Sequence, residues 1–392
     1  MSEKAGRLRQ LSMLSIAHYV NDIYSTVAPP LYPRLIQIYG LSYAMTGMMT
    51  AAYQLCSALL QPLFGYLHDK RRPAIFMSLA LILGGVGLGL IGYVNNFLMV
   101  LILIALSGLG SAIFHPPATA YSSYEATKYR GTLFSVFMTA GRLGAASGPL
   151  IAITTVTFMG LQGLIITLLI PALVLIVPLY RMSVNAALEQ ARFLNGAQAT
   201  LQTGPIPVLR VSGVIFAGIL LHFIGLGLIS FLSPFAVATG MNLEFGALLL
   251  TVMMMGQVIG VPILVSLSDI LPRGIYAAVL MFSTALLVPS ISGIIVELLP
   301  VVIFVIGAFL ASVHAILILV THEMMPNRKG LATSLIYGIS LGGGGLLSPL
   351  LGRVIDLYGF STSFVMLAVI GLIGGGILLG ATWGLRGRSK KP

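Results

Sequence analysis

His18 and Asp22 stand four residues apart inside the first long apolar stretch of the chain, so a helix through that stretch carries both on one face. An imidazole next to a carboxylate in an apolar setting is proton-handling chemistry: imidazole titrates near neutrality unaided, and a carboxyl can be tuned toward the same range by its surroundings. Arg142 lies equally deep in the fifth stretch. A charge at the centre of a bilayer costs about 3 kcal/mol on insertion scales, which makes an ionisable residue there a functional candidate by default. Asp22 is the first candidate for a proton carrier and His18 the second. Arg142 keeps its charge, so it either pairs with Asp22 or attracts an anionic substrate, and the two contacts can be successive states. The competing reading of Asp22 and Arg142 is fixed glue between helices. His115, His222, His314, Gln54 and Gln61 are further candidates to line a substrate cavity. A bond to a backbone carbonyl is the alternative for His115, beside Pro116 and Pro117, and for His222; the glutamines could equally bond neighbouring helices.

What must position these residues is membrane-spanning helix. The 392-residue chain is 57% hydrophobic and 8% charged, outside the range of ordinary soluble domains. Apolar stretches near the roughly 20 residues that cross a bilayer as helix recur along its length. They lie at 11–38, 42–67, 73–94, 97–124, 131–158, 161–182, 208–239, 243–267, 274–296, 298–324, 330–356 and 361–385. The strict alternation of a membrane β-barrel is absent. The expected fold is therefore all-α, with twelve transmembrane helices.

The net charge of +11 does not indicate nucleic acid, because the cations are confined to one side. Of the 21 lysines and arginines, all but Arg34, Arg142 and Arg353 fall at the chain ends or in loops facing one compartment. The positive-inside rule makes that side, and both termini, cytoplasmic. The first apolar stretch is long, contains Asp22 and lacks a small-residue cleavage pattern, so it is expected to remain as a span in the plasma or inner membrane. Cys56 is the single cysteine, which excludes an intramolecular disulfide.

Unusual residues recur at a shift of about 200 positions: Asp69 with Asp269, His115 with His314, Glu125 with Glu323, Gly131 with Gly330, and Pro149 with Pro349. This predicts two pseudo-symmetric six-helix bundles, 1–182 and 208–392, with substrate between them. The loop 183–207 joins them. Ser183 as N-cap and Gly196 as stop predict a short surface helix within it.

Two motifs bear on mechanism. Between spans 2 and 3 the chain reads Gly65-Tyr66-Leu67-His68-Asp69-Lys70-Arg71-Arg72. A carboxylate just outside one helix can accept hydrogen bonds from the exposed N-terminus of another and form a latch. Asp69, Arg71, Asp269, Glu125 and Arg130 are therefore candidates for a cytoplasmic gate, with local ion pairing to Arg130 and Arg328 the alternative for Glu125 and Glu323. In span 5, Gly141, Gly144 and Gly148 form a small-residue stripe that permits close helix approach, and Pro149 removes a backbone donor and permits a bend. The Gly342–Gly345 run in span 11 suits a segment that flexes.

The Gly65 to Arg72 loop resembles the signature of the major facilitator superfamily, and Gly141 to Pro149 is similar to an element of its drug and proton antiporters. His18-Tyr19-Val20-Asn21-Asp22, Leu60-Gln61-Pro62, Gly110 to Pro116, and Gly144 with Gly148 to Leu150 resemble the fosmidomycin resistance branch. That closer resemblance runs from 18 to 150. It departs from the branch at Arg142 and Pro117. The resemblance implies proton-driven export of small toxic, often anionic or polar, compounds by alternating access, with Asp69 steadying the cytoplasmic side through the start of span 11 and Asp269 through the start of span 5.

Uptake of an organic anion by proton or sodium symport is the alternative; a lipid flippase or a membrane sensor fits less well. Expected partners are a small-molecule substrate, protons and the lipid bilayer, with no nucleic acid, and the chain is expected to act as a monomer. No metal-ligand spacing, nucleotide loop or nucleophile elbow stands out, and His322-Glu323 lacks the second histidine of a zinc helix. No cofactor, metal or enzymatic activity is expected.

Overall fold

The computed structural model describes residues 3–71, 75–124, 130–193 and 206–384, with side chains described over most of these. Among the described residues the chain is helical, with no strand. The first crossing is α1 (Glu3–Val27), a tight turn at Pro29–Leu31 and α2 (Tyr32–Tyr39). Pro29 and Pro30 lack N–H donors, and a tighter turn replaces α-helix there. Then come α3 (Tyr43–Gln54), a wider π-helical turn at Leu55–Leu59 and α4 (Gln61–Arg71), followed by α5 (Phe76–Gly89), α6 (Phe97–Tyr124), α7 (Arg130–Met159) and α8 (Ile170–Phe193). The second half runs through α9 (Val208–Ala238), α10 (Leu243–Leu267), α11 (Arg273–Leu287) and α12 (Leu299–Met324). Its eleventh crossing is assembled from α13 (Lys329–Ser334), a π-helical stretch at Leu335–Leu341, α14 (Gly342–Leu346) and the start of α15 (Ser348–Thr382). A non-helical residue, Gly359, divides α15 into the end of that crossing and the twelfth.

Eight of these helices are long and apolar enough to cross a membrane by themselves, the one at 329–382 being long enough for two passes. The first two crossings, broken at Pro29–Leu31 and at the π turn of Leu55–Leu59, carry His18, Asp22, Gln54 and Gln61. Turn chemistry repeats with the fold. Gly40 and Gly240 both take positive φ, at 61° and 87°, after the first crossing of each half. Each is followed two residues later by a side-chain cap: Ser42 Oγ accepts the Met45 N–H at 3.2 Å, and Asn242 Oδ1 accepts that of Phe245 at 2.8 Å.

The chain divides into two compact units, one of residues 1–34 with 52–200, the other of 35–51 with 201–392. In the first, α1 packs along α7 and α5 along α6. In the second, α10 packs along α12, and α9 and α11 along α15. The residues 35–51, which the sequence puts in the N-terminal bundle, belong to the second unit. Their backbone is held there at Gly352, where an added methyl would strike the Tyr43 backbone, and at Gly47, which lies against Ser348 and Pro349.

One expectation changes. The inter-bundle segment does not begin with a separate helix capped at Ser183: α8 continues without a break to Phe193, because nothing between Arg181 and Phe193 interrupts helical hydrogen bonding. Residues beyond it, up to 205, lie outside the described set. The Gly342–Gly345 run also makes a close helix contact. A methyl on Gly344 would overlap the backbone of His222 and Phe223, so the glycine lets this crossing approach α9.

Candidate functional site

The His18–Asp22 pair on α1 is joined by residues from two other helices of the same unit. His18 Nε2 lies 3.2 Å from Asp22 Oδ2, as the i, i+4 spacing predicts. His115 on α6 brings its Nε2 to 3.7 Å from Asp22 Oδ1, and the Asn21 side-chain amide donates to the same oxygen at 3.0 Å. His115 thus faces the carboxylate, not a carbonyl freed by the prolines after it. The other ring nitrogen of His18, Nδ1, is 2.9 Å from the carbonyl oxygen of Phe137 on α7. A carbonyl can only accept, so Nδ1 carries a proton. The imidazole is also stacked on the Phe137 ring, centroids 4.2 Å apart, and tilted against Phe114. Its orientation is fixed on every side.

Both nitrogens of His18 therefore face acceptors, a carbonyl on one edge and a carboxylate on the other. A lone pair on Nε2 pointed at an ionised Asp22 would be repulsive. A positive charge is called for at that edge, carried by a proton or by another cation. The side chain of His18 is sealed at 4% exposure, whereas those of Asp22 and His115 remain 20% and 26% exposed, so the cluster is closed behind and open in front. The donor atoms of His18, Asp22 and His115 lie within 4.8 Å of one another. No sequence spacing could reveal that set, because its third member comes from a different helix.

The small-residue stripe of α7 is what lets this cluster exist. A methyl on Gly141 would collide with His18 Nε2 and lie 2.6 Å from Asp22 Oδ2. Gly144 lies against the Tyr19 carbonyl and Gly148 against Thr26, whose hydroxyl donates to the Ala145 carbonyl at 2.8 Å. Pro149 sits inside α7, which remains helical through it. Because Gly141 faces the pair, Arg142 is turned about 100° around the helix. In this structure Arg142 makes no ion pair with Asp22, whose carboxylate is taken up by His18, His115 and Asn21.

The second unit contains a counterpart that the sequence comparison missed. His222 on α9 and His314 on α12 meet edge to face at 4.9 Å and 82°, matching His18 and His115 at 5.5 Å and 82°. His115 and His314 fall in the register of the repeat; His18 and His222 are 204 positions apart and do not, so loop-length drift hid the pair. The chemistry differs. His222 Nδ1 meets the Gly218 carbonyl at 2.6 Å, the carbonyl bond anticipated for it, and its Nε2 meets His314 Nδ1 at 3.0 Å. The position equivalent to Asp22 in that register is Leu226.

The remaining candidates are dispersed. Gln54 accepts the Ser57 hydroxyl at 3.3 Å, a bond within its own crossing, and Gln61 is half-buried at the start of α4. Asp269 is exposed and accepts Arg273 Nη2 at 2.8 Å, and Arg273 Nη1 donates to Glu323. The ion pairing anticipated for Glu323 exists, but with Arg273 in place of Arg328, because α11 starts beside the end of α12. Glu125 lies outside the described residues, as do the side chains of Asp69, Arg71 and Arg130. One polar contact had no candidate in the sequence reading: the carboxylate of Asp356 on α15 accepts the backbone N–H groups of Tyr43 and Ala44.

Two helical units with repeated turn and histidine patterns, one of them holding a buried ionisable cluster, define a multi-pass membrane transport protein. The family model of the Major Facilitator Superfamily matches residues 14–288, and the chain belongs to that superfamily. It is 27% identical over 375 residues to the fosmidomycin resistance protein of Escherichia coli (strain K12), covering 93% of this chain and 90% of that one. It is 24% identical over 390 residues to an uncharacterized MFS-type transporter, YfnC, of Bacillus subtilis (strain 168), with the same coverage of 93% and 90%. A solved structure of similar fold is a bacterial homolog to the human lysosomal transporter Spinster, inward-facing and unoccupied. It has a TM-score of 0.71 and 18% identity, over 97% of this chain and 98% of that chain.

Proposed function

We propose that this transporter is a proton-coupled antiporter that exports a small, anionic or polar toxic compound by alternating access, with both termini cytoplasmic. The observation that carries the reading is the His18–Asp22–His115 cluster: His18 is held so that its Nε2 edge needs a positive charge, and Asp22 is open to one side. A proton taken up there neutralises the carboxylate and its release restores the charge, which is the two-state chemistry that coupling requires. Arg142, free of Asp22, is available to an anionic substrate. His222, His314, Gln54 and Gln61 are proposed as further substrate contacts. Export is favoured over uptake by the relative named for fosmidomycin resistance.

Transport in proteoliposomes under an imposed pH gradient tests this, with fosmidomycin and a set of anionic and cationic compounds as probes. Wild type should move an anionic compound against its gradient. Asp22→Asn should lose the response to the pH gradient while still exchanging substrate across equal pH, and Arg142→Ala should lose anions selectively. Gradient-driven transport by Asp22→Asn at the wild-type rate would remove Asp22 from coupling.

A further inference from the structure

We propose that His18, Asp22 and His115 form a binding site for a single divalent transition-metal ion of the zinc class. The donors are already gathered. Their ligand atoms lie within 4.8 Å of one another, with Asp22 oxygens 3.2 Å from His18 Nε2 and 3.7 Å from His115 Nε2. Zinc binds nitrogen and oxygen at about 2.0–2.2 Å, so neighbouring ligands of a tetrahedral ion are about 3.3–3.6 Å apart. His18 Nε2 to Asp22 Oδ2 and His115 Nε2 to Asp22 Oδ1 bracket that spacing, each through its own carboxylate oxygen, and side-chain movement about one ion closes the remaining separation within the 4.8 Å set.

The surroundings are those of a ligand set as well. A histidine that binds metal usually fixes its other ring nitrogen on a carbonyl or carboxylate, which selects the tautomer and aims the free lone pair. His18 does this through Phe137, and stacking on that residue's ring holds the plane. The electrostatic demand at His18 Nε2, already noted, is met by a metal cation without a proton. The partial exposure of Asp22 and His115 leaves the fourth position to water or a bound anion. Two imidazoles and one carboxylate suit Zn²⁺, Co²⁺ or Ni²⁺; Mg²⁺ and Ca²⁺ prefer oxygen throughout.

The second unit supplies a built-in comparison. His222 and His314 repeat the pair of rings, but Leu226 replaces the carboxylate and the facing nitrogens are bonded to each other. Among the described residues that pair belongs to no group of three metal-ligating side chains, and it is not expected to hold an ion. Equilibrium metal binding does not require that Asp22 carry protons during transport, so this inference and the proposed coupling can fail separately.

The test uses full-length protein in detergent micelles, titrated with Co²⁺ and followed by its visible absorption, then with Zn²⁺ in competition. Wild type should bind one ion per chain, with the intense band of tetrahedral Co²⁺, and Zn²⁺ should displace it. Asp22→Asn and His115→Gln should each weaken binding by more than the roughly 10- to 100-fold that loss of an outer partner costs. His115→Cys should retain the ion, since a thiolate also ligates, and His222→Gln should bind as wild type does. Melting curves establish that each variant is folded. If Asp22→Asn does not fold, the contrast between Gln and Cys at position 115 decides. Wild-type affinity in His115→Gln, dependence on His222 alone, or no Co²⁺ binding by wild type would overturn the proposal.

Discussion

Asp356 Oδ1 accepts the backbone N–H of Tyr43 at 2.8 Å, and its second oxygen takes that of Ala44 at 3.0 Å. The first N–H groups of a helix have no partner within it, and the helix dipole favours an anion there, so one carboxylate serves as a cap for α3 from a residue more than three hundred positions away. Ser42 Oγ satisfies the Met45 N–H beside it, and the Thr50 and Ser230 hydroxyls bond at 2.7 Å further along the same helix. The sequence reading assigns this physics to Asp69 and Asp269 at the basic end of the molecule. The second unit uses it at the opposite end, and Asp269 is instead exposed and paired with Arg273.

Removing that cap should be measurable. Hydrogen bonds to a charged group are worth about 1.5–3 kcal/mol each, so Asp356→Ala should lower the apparent melting temperature of the purified protein clearly. Asp356→Asn, which keeps one acceptor, should fall between. Equal melting of wild type and Asp356→Ala would show that the contact carries no stability.

Glycine-to-alanine substitutions should act with opposite signs at two helical positions. Gly141→Ala drives a methyl into His18 and Asp22, and overpacking of this kind costs about 1–3 kcal/mol. It should also abolish gradient-driven transport. Gly376 on α15 has open space where its methyl would go, so Gly376→Ala should gain up to about 1 kcal/mol from helix propensity alone. Melting curves and transport assays on the two proteins read both effects.

Coupling should reside in one unit. His115→Gln removes a partner of Asp22 and is expected to weaken the response to a pH gradient; His314→Gln disturbs a pair in which Leu226 stands at the position of Asp22 and is expected to change substrate KM or stability while the response remains. Loss of gradient response in His314→Gln alone would reverse the assignment.

Arg273 joins Asp269 and Glu323, whose side chains are 70% and 40% exposed. Exposed ion pairs contribute about 0–1 kcal/mol, so Arg273→Ala should shift the melting temperature little. A large drop would mean that Arg273 supports the ends of α11 and α12 in a way the exposed pairs do not account for.

Composition and periodicity were enough to establish a helical membrane protein with a duplicated plan, because crossing a bilayer demands long apolar helices and leaves few other patterns open. The i, i+4 relation of His18 and Asp22 was equally legible, since it depends only on helix geometry. Tertiary structure decided what meets that pair: His115 and the Phe137 carbonyl arrive from α6 and α7, and Gly141 makes room for them. Helix packing fixed these contacts across sequence separations that no local spacing encodes. It also separated Arg142 from Asp22, paired His222 with His314 despite a shifted repeat, and brought Asp356 to the start of α3. Charge and burial nominated single residues; only the packing of several helices determined which of them share a site.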